Sequence, residues 1–154
     1  MKQITGEEFK RLIKKDPSWC KNLKEPLEIT SYVNMEGNPI THLSPLITFS
    51  GENYSGWAAD FYGCKNLKVA TGTFLGGVWF LSAGIEKIKK LNIVRSTNLE
   101  AANFIGCPIK YVPKKHRKKE FFRFDKEIIK KSIKLDTIKT TIKKIKSESN
   151  NIEI

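Results

Sequence analysis

Apolar residues recur along the chain in four lines of related pattern: VNMEGNPITHL from Val33, ADFYGCKNLKV from Ala59, VWFLSAGIEKI from Val78 and ANFIGCPIKYV from Ala102. The lines align Met35, Phe61, Phe80 and Phe104 in one column, Ile40, Leu67, Ile85 and Ile109 in a second, and Leu43, Val69, Ile88 and Val112 in a third. First-column spacings of 26, 19 and 24 fall within the range of compact but irregular repeats. Between the lines, LITFSG, ATGTFLG and KLNIV alternate apolar and polar positions and predict strands that turn Phe49, Phe74 and Ile93 inward. No single unit of this size buries its apolar face alone, whereas stacked units share one core. Gly37, Gly63 and Gly106 are expected at corners that need a positive φ or close approach of two chains.

Helical spacing replaces this pattern at both ends. Thr5 and Glu8 form a capping-box pair ahead of Phe9, Leu12 and Ile13, which share one helix face, and Pro17 limits that helix. Residues 1–26 are therefore expected as an N-terminal helical cap, with Trp19 and Leu23 extending its apolar surface onto a repeat region at 27–112. Residues 113–154 are expected as a basic linker followed by a C-terminal amphipathic helix with a frayed tail. Phe121, Phe122 and Phe124 would dock on the end of the repeat region, and Asp125 would cap the final helix. Leu135, Ile138, Ile142 and Ile145 make a three-and-four-spaced stripe among lysines, with Ile129 and Ile133 toward another face. Packing within the chain, pairing with a second copy and contact with a partner are all open uses of that stripe.

Charge divides the chain unevenly. Residues 110–146 carry 15 Lys or Arg against 4 Asp or Glu, whereas residues 1–109 carry 13 against 10. The net charge of +12 thus sits mainly in the last third and favours an acidic protein face, nucleic acid or a peripheral contact with anionic membrane. Lys114, Lys115, Arg117, Lys118, Lys119 and Arg123 are the candidate contacts for nucleic acid or an acidic partner. No opening apolar run resembles a signal peptide, and no stretch approaches the roughly 18 apolar residues of a membrane span. The expected location is cytoplasmic, or one reached by a route without a cleavable signal peptide.

GNPITHLSP resembles the turn of a bacterial leucine-rich repeat, in which an Asn-containing turn is followed by an apolar residue, two variable positions and Leu. GCKNLKV and GIEKI are similar to the same turn more loosely, and Cys64, Ala83 and Cys107 stand where Asn38 supplies the turn Asn. The resemblance covers residues 27–112 and implies a short solenoid used to recognise another macromolecule. The fold class expected from these readings is mainly β with terminal helices: a short irregular leucine-rich-repeat-like solenoid or β-solenoid.

Catalytic and metal chemistry find no pattern in the sequence. His42 and His116 lack Cys-His, Ser-His-Asp or metal-ligand neighbours, and TGTFLGG has no P-loop lysine in register. No cofactor and no metal are therefore expected, and Asp60 and Glu86 differ in their line positions, so they make no acid pair. Cys20, Cys64 and Cys107 are too few and scattered for a disulfide framework. Units spaced about 4.8 Å apart would put Cys64 and Cys107 two steps, roughly 10 Å, from each other, beyond disulfide reach, and predict buried thiols.

What remains is recognition. Alternation turns Trp79 opposite to Val78 and Phe80, so Trp79 and the related Trp57 are candidate protein-binding anchors. The function expected is a non-enzymatic protein-recognition module, an effector or inhibitor acting by occupation of an acidic surface on an unidentified protein. The alternatives are nonspecific nucleic-acid binding through the basic C-terminal region and association with anionic membrane.

Overall fold

A computed structural model describes residues 1–94, 101–117 and 122–150. Strand β1 (Lys2–Ile4) leads into helix α1 (Gly6–Lys15) and a 3₁₀ turn at Trp19–Asn22. Short strands follow: β2 (Leu27–Ile29), β3 (Val33–Asn34), β4 (Ile47–Phe49), β5 (Trp57–Asp60), β6 (Val69–Phe74), β7 (Gly77–Trp79), β8 (Lys87–Ile93) and β9 (Ala102–Asn103). The single helical turn α2 (Lys114–Arg117), strand β10 (Phe122–Arg123) and helix α3 (Lys126–Asn150) complete the order. One sheet has the order β1-β2-β4-β6-β8 and the other β10-β9-β7-β5-β3, and every pairing is parallel.

The expectation of a mainly β, leucine-rich-repeat-like or irregular β-solenoid is corrected by this arrangement. Two five-stranded all-parallel sheets with helices make an α/β architecture. Helix α3 spans 25 residues, while no strand among the described residues exceeds seven. Apolar columns identify which residues are buried, but burial is shared by every layered architecture, so the columns did not fix the class. The segments predicted as strands between the four lines form β4, β6 and β8, and with β1 and β2 they pair into a full sheet of their own. Residues 1–26 also hold more than a helix, because β1 extends that sheet by pairing Lys2 with Leu27 and Ile4 with Ile29.

Phenylalanines fill the space between the sheets. Phe49 and Phe74 stack at 4.6 Å in one row. Phe61, Phe80, Phe104 and Phe124 stack at 5.4, 5.1 and 5.1 Å in a second. Edge contacts of 6.0 Å between Phe49 and Phe61 and 6.2 Å between Phe74 and Phe80 join the rows, the offset geometry that ring quadrupoles favour. The α1 helix begins at Thr5, whose hydroxyl accepts the Glu8 amide at 3.1 Å, and sets Phe9 edge-on against Phe49 at 5.8 Å. At the other end Phe122 and Phe124 continue the packing, as expected of them, while Phe121 lies outside the described residues.

The predicted corner glycines have φ values of +66° at Gly37, +68° at Gly63 and +79° at Gly106. A side chain there would be strained, which makes glycine the fitting residue. All three cysteines are buried free thiols, as predicted for Cys64 and Cys107. Cys64 donates to the Met35 carbonyl at 3.0 Å and Cys107 to the Phe80 carbonyl at 2.9 Å, so each thiol satisfies a turn of the preceding line.

Candidate functional site

Two surfaces stand out, and the first is helix α3. Its first turns meet the domain through a mixed face, Ile128 and Ile129 together with the polar Ser132 and Asp136. Ser132 is fully buried, accepts the Val112 amide at 2.8 Å and donates to the Ile128 carbonyl at 2.8 Å. One turn on, Asp136 pairs with Arg117 and accepts the Tyr111 hydroxyl at 2.8 Å. Those two donors hold the Asp136 carboxyl below the usual carboxylate range. Arg117 also donates to the Val112 carbonyl at 2.8 Å, so its guanidinium joins Val112 to the helix through Asp136. Ile128 and Ile129 pack against the core beside this lock.

The apolar stripe faces elsewhere. At 3.6 residues per turn, Leu135, Ile138, Ile142 and Ile145 occupy an arc of about 80°, centred roughly 100° from the line through Ile128, Ser132 and Asp136. They are 42%, 45%, 47% and 56% exposed. Lys134 lies on one flank, Lys139 and Lys146 on the other, and the helix carries eight lysines against three acids. A helix normally buries its apolar side. This one is docked at its start by Ile128, Ile129, Ser132 and Asp136 and leaves its later apolar seam outward.

The basic candidates divide. Lys114 and Lys115 are exposed on the α2 turn, and Arg123 is exposed on β10. Arg117 is committed to Asp136 and Val112, so it is part of the lock rather than a free contact. Lys118 and Lys119 lie outside the described residues. Asp125 does not supply its carboxylate to the start of α3; that carboxylate accepts the Gly106 amide at 3.1 Å, and only the Asp125 backbone carbonyl receives Ile128.

The second surface is the outer face of the β5–β7 pair, where Trp57 and Trp79 meet. Their ring centroids are 4.8 Å apart and their planes are inclined at 66°. Both are half-buried, and with Tyr32, Asn53, Ser55 and Asp60 they line a cavity of about 220 Å³. Asn53 builds one rim by accepting the amides of Ser55 and Trp57 through its side-chain oxygen, each at 3.0 Å. Asp60 and Trp79 are direct neighbours in the sheet register, and Gly77 lies opposite Trp57, where no side chain competes with the indoles. Burial, with Glu36 adding repulsion, raises the Asp60 carboxyl above its ordinary value. Its Oδ1 accepts the Tyr62 amide at 2.8 Å, and no described Lys or Arg forms an ion pair with it.

Sequence reasoning found Trp57 and Trp79 but missed Tyr32, Asp60, Ser132 and Asp136. A signal for the Trp cleft was present in the second position of the four lines, which reads Asn34, Asp60, Trp79, Asn103. Each of the three polar residues accepts an amide two residues on, at 3.0, 2.8 and 3.0 Å. Trp79 interrupts that series, giving up a local turn bond for a half-buried ring in the cleft.

No helix among the described residues is long and apolar enough to cross a membrane, and no group of three or more His, Cys, Asp or Glu there is placed to hold a metal. No family model, characterised protein or solved structure matches the chain, so the leucine-rich-repeat resemblance rests on its quoted residues alone.

Proposed function

We propose that this protein is a non-enzymatic recognition module that docks through α3 onto an acidic amphipathic helix of another protein and acts by occupying that surface. The observation that carries the reading is the outward apolar seam of a helix already fixed to its domain by the Ser132 and Asp136 contacts. An arc of about 80° matches the narrow seam of a helix pair rather than the broad face of a membrane-surface helix. Charge selects among helical partners. In a parallel pair of identical chains Lys134 would oppose Lys139 of the other copy, while glutamates at those places on a different chain would pair with both.

The reading places the protein in a reducing compartment, cytoplasmic or reached without a cleavable signal peptide, a setting suited to three buried thiols. A second reading, nonspecific nucleic-acid binding, draws on the exposed Lys114 and Lys115 together with the lysines of α3.

Titration of the full chain with two designed helical peptides tests the choice. Both carry leucines in heptad positions; one has glutamates and the other lysines on the flanks. The acidic peptide should bind, the basic one should not, and the double variant Ile138→Asp, Ile142→Asp should lose the acidic peptide. Binding of the acidic peptide that survives the double variant, or self-association as the only response, would refute the proposal. A steeply salt-dependent affinity for duplex DNA that is unchanged in the double variant would favour the second reading.

A further inference from the structure

The cleft of Trp57, Trp79, Tyr32 and Asp60 takes no part in the docking of α3. Trp57 and Trp79 form a corner, because rings inclined at 66° with centroids 4.8 Å apart present two walls instead of one flat platform. A flat sugar face would stack on one wall only. A compact, roughly spherical group touches both. The Tyr32 ring is a third aromatic surface on the same cavity of about 220 Å³, and Asp60 brings a carboxylate to it.

The charge of that group follows from the surroundings. In a chain of net charge +12, the Asp60 carboxylate has no ion pair with any described Lys or Arg, and Glu36 is its charged neighbour. Partial burial leaves the carboxylate under-solvated, which an incoming cation would offset. Aromatic faces attract cations most when the cation is weakly hydrated, because less water must be stripped away. A primary ammonium is compact and strongly hydrated. A methylated ammonium is larger, apolar at its surface and diffuse in charge.

We infer that the cleft between Trp57 and Trp79 is a binding site for a methylated ammonium group, held by the two indoles and Tyr32 and neutralised by Asp60. Such a group reaches a protein on a small molecule or on a methylated lysine of a peptide, and both present the same head to this cavity.

The test is tryptophan fluorescence of the full chain carrying Trp19→Phe, which leaves the two cleft indoles as reporters. Choline is titrated against its neutral isostere 3,3-dimethylbutanol, and a trimethyllysine peptide against the same peptide with unmodified lysine. Choline or the trimethyllysine peptide should give a saturable change, with the neutral or unmodified counterpart weaker by about tenfold. Response to the peptide alone assigns the ligand to a modified protein, and response to choline as well assigns it to the head group itself. Asp60→Asn should weaken binding about tenfold while Tm is retained, and Trp57→Leu should abolish it. Equal response to the charged and neutral isosteres, or no saturable response to either methylated probe in a chain whose circular dichroism is unchanged, would overturn the assignment.

Discussion

Ser132 of α3 accepts the amide of Val112 at 2.8 Å, and this buried bond joins residues twenty positions apart. It satisfies the backbone donor of the residue that ends the last line and sets the start of α3 against the domain. Replacing Ser132 by Ala leaves the Val112 amide buried without that acceptor. The expected cost is about 1–3 kcal/mol, the price of an unmet buried donor. Denaturant unfolding followed by far-ultraviolet circular dichroism measures it. Hydrogen exchange at Val112 should accelerate by the same free energy if the loss is local.

The Asp136 lock gives the helix an acid sensitivity of definite sign. Arg117 and Tyr111 depress the Asp136 carboxyl in the folded state. Its contribution is therefore fully present above the unfolded value of about 3.9 and is lost as the pH falls through the lower folded value. Docking of α3 should be constant through neutral pH and weaken only in that acid window. The Val112 amide and Tyr111 ring resonances report it, and Asp136→Asn should remove the step.

Alkali acts on the opposite side. Burial pushes Cys20 and Cys64 up to about 12 and Cys107 to about 11. A raised value means stability that is complete below the unfolded thiol value of about 8.5 and declines as pH rises through the folded values. Tm should fall progressively across that window. The double variant Cys64→Ala, Cys107→Ala should show a shallower fall, measured against the wild-type chain in the same buffers. The native thiols should also resist a thiol-disulfide reagent at neutral pH until the chain is unfolded.

Phe80 sits in the middle of its row, stacked on both Phe61 and Phe104 and edge-on to Phe74. Phe80→Ala should cost about 3–5 kcal/mol because both stacked neighbours lose a partner and a cavity remains. Phe80→Leu should cost less. Chemical denaturation of the three chains compares them, and a loss below about 1 kcal/mol would contradict the central place given to this ring.

Much of the burial was legible before the fold was. Aligning Met35, Phe61, Phe80 and Phe104 identified four residues that are 0–1% exposed, each two positions before a positive-φ corner at Gly37, Gly63, Ser82 or Gly106. The alternation around Phe49 and Phe74 was equally informative, since period two belongs to strands. The class was not legible. Strands of two to four residues carry little signal, and β1 pairs with β2 across 25 residues with nothing in KQI to announce it. The docked side of α3 was hidden for a different reason: Ser132 and Asp136 are polar, and a hydrophobic-stripe reading looks for the packed face among isoleucines. Tyr32 was missed beside Trp57 because their proximity is a product of strand pairing, which local sequence does not state.

Methyl resonances of Leu135, Ile138, Ile142 and Ile145, recorded while the full chain is titrated with the acidic helical peptide, report whether the outward seam is the docking face. Shifts should be concentrated on those four residues, should saturate together, and should leave Ile40, Ile47 and Ile85 of the core unmoved. Saturable binding with the four seam methyls unperturbed would contradict the docking of α3 onto an acidic helix.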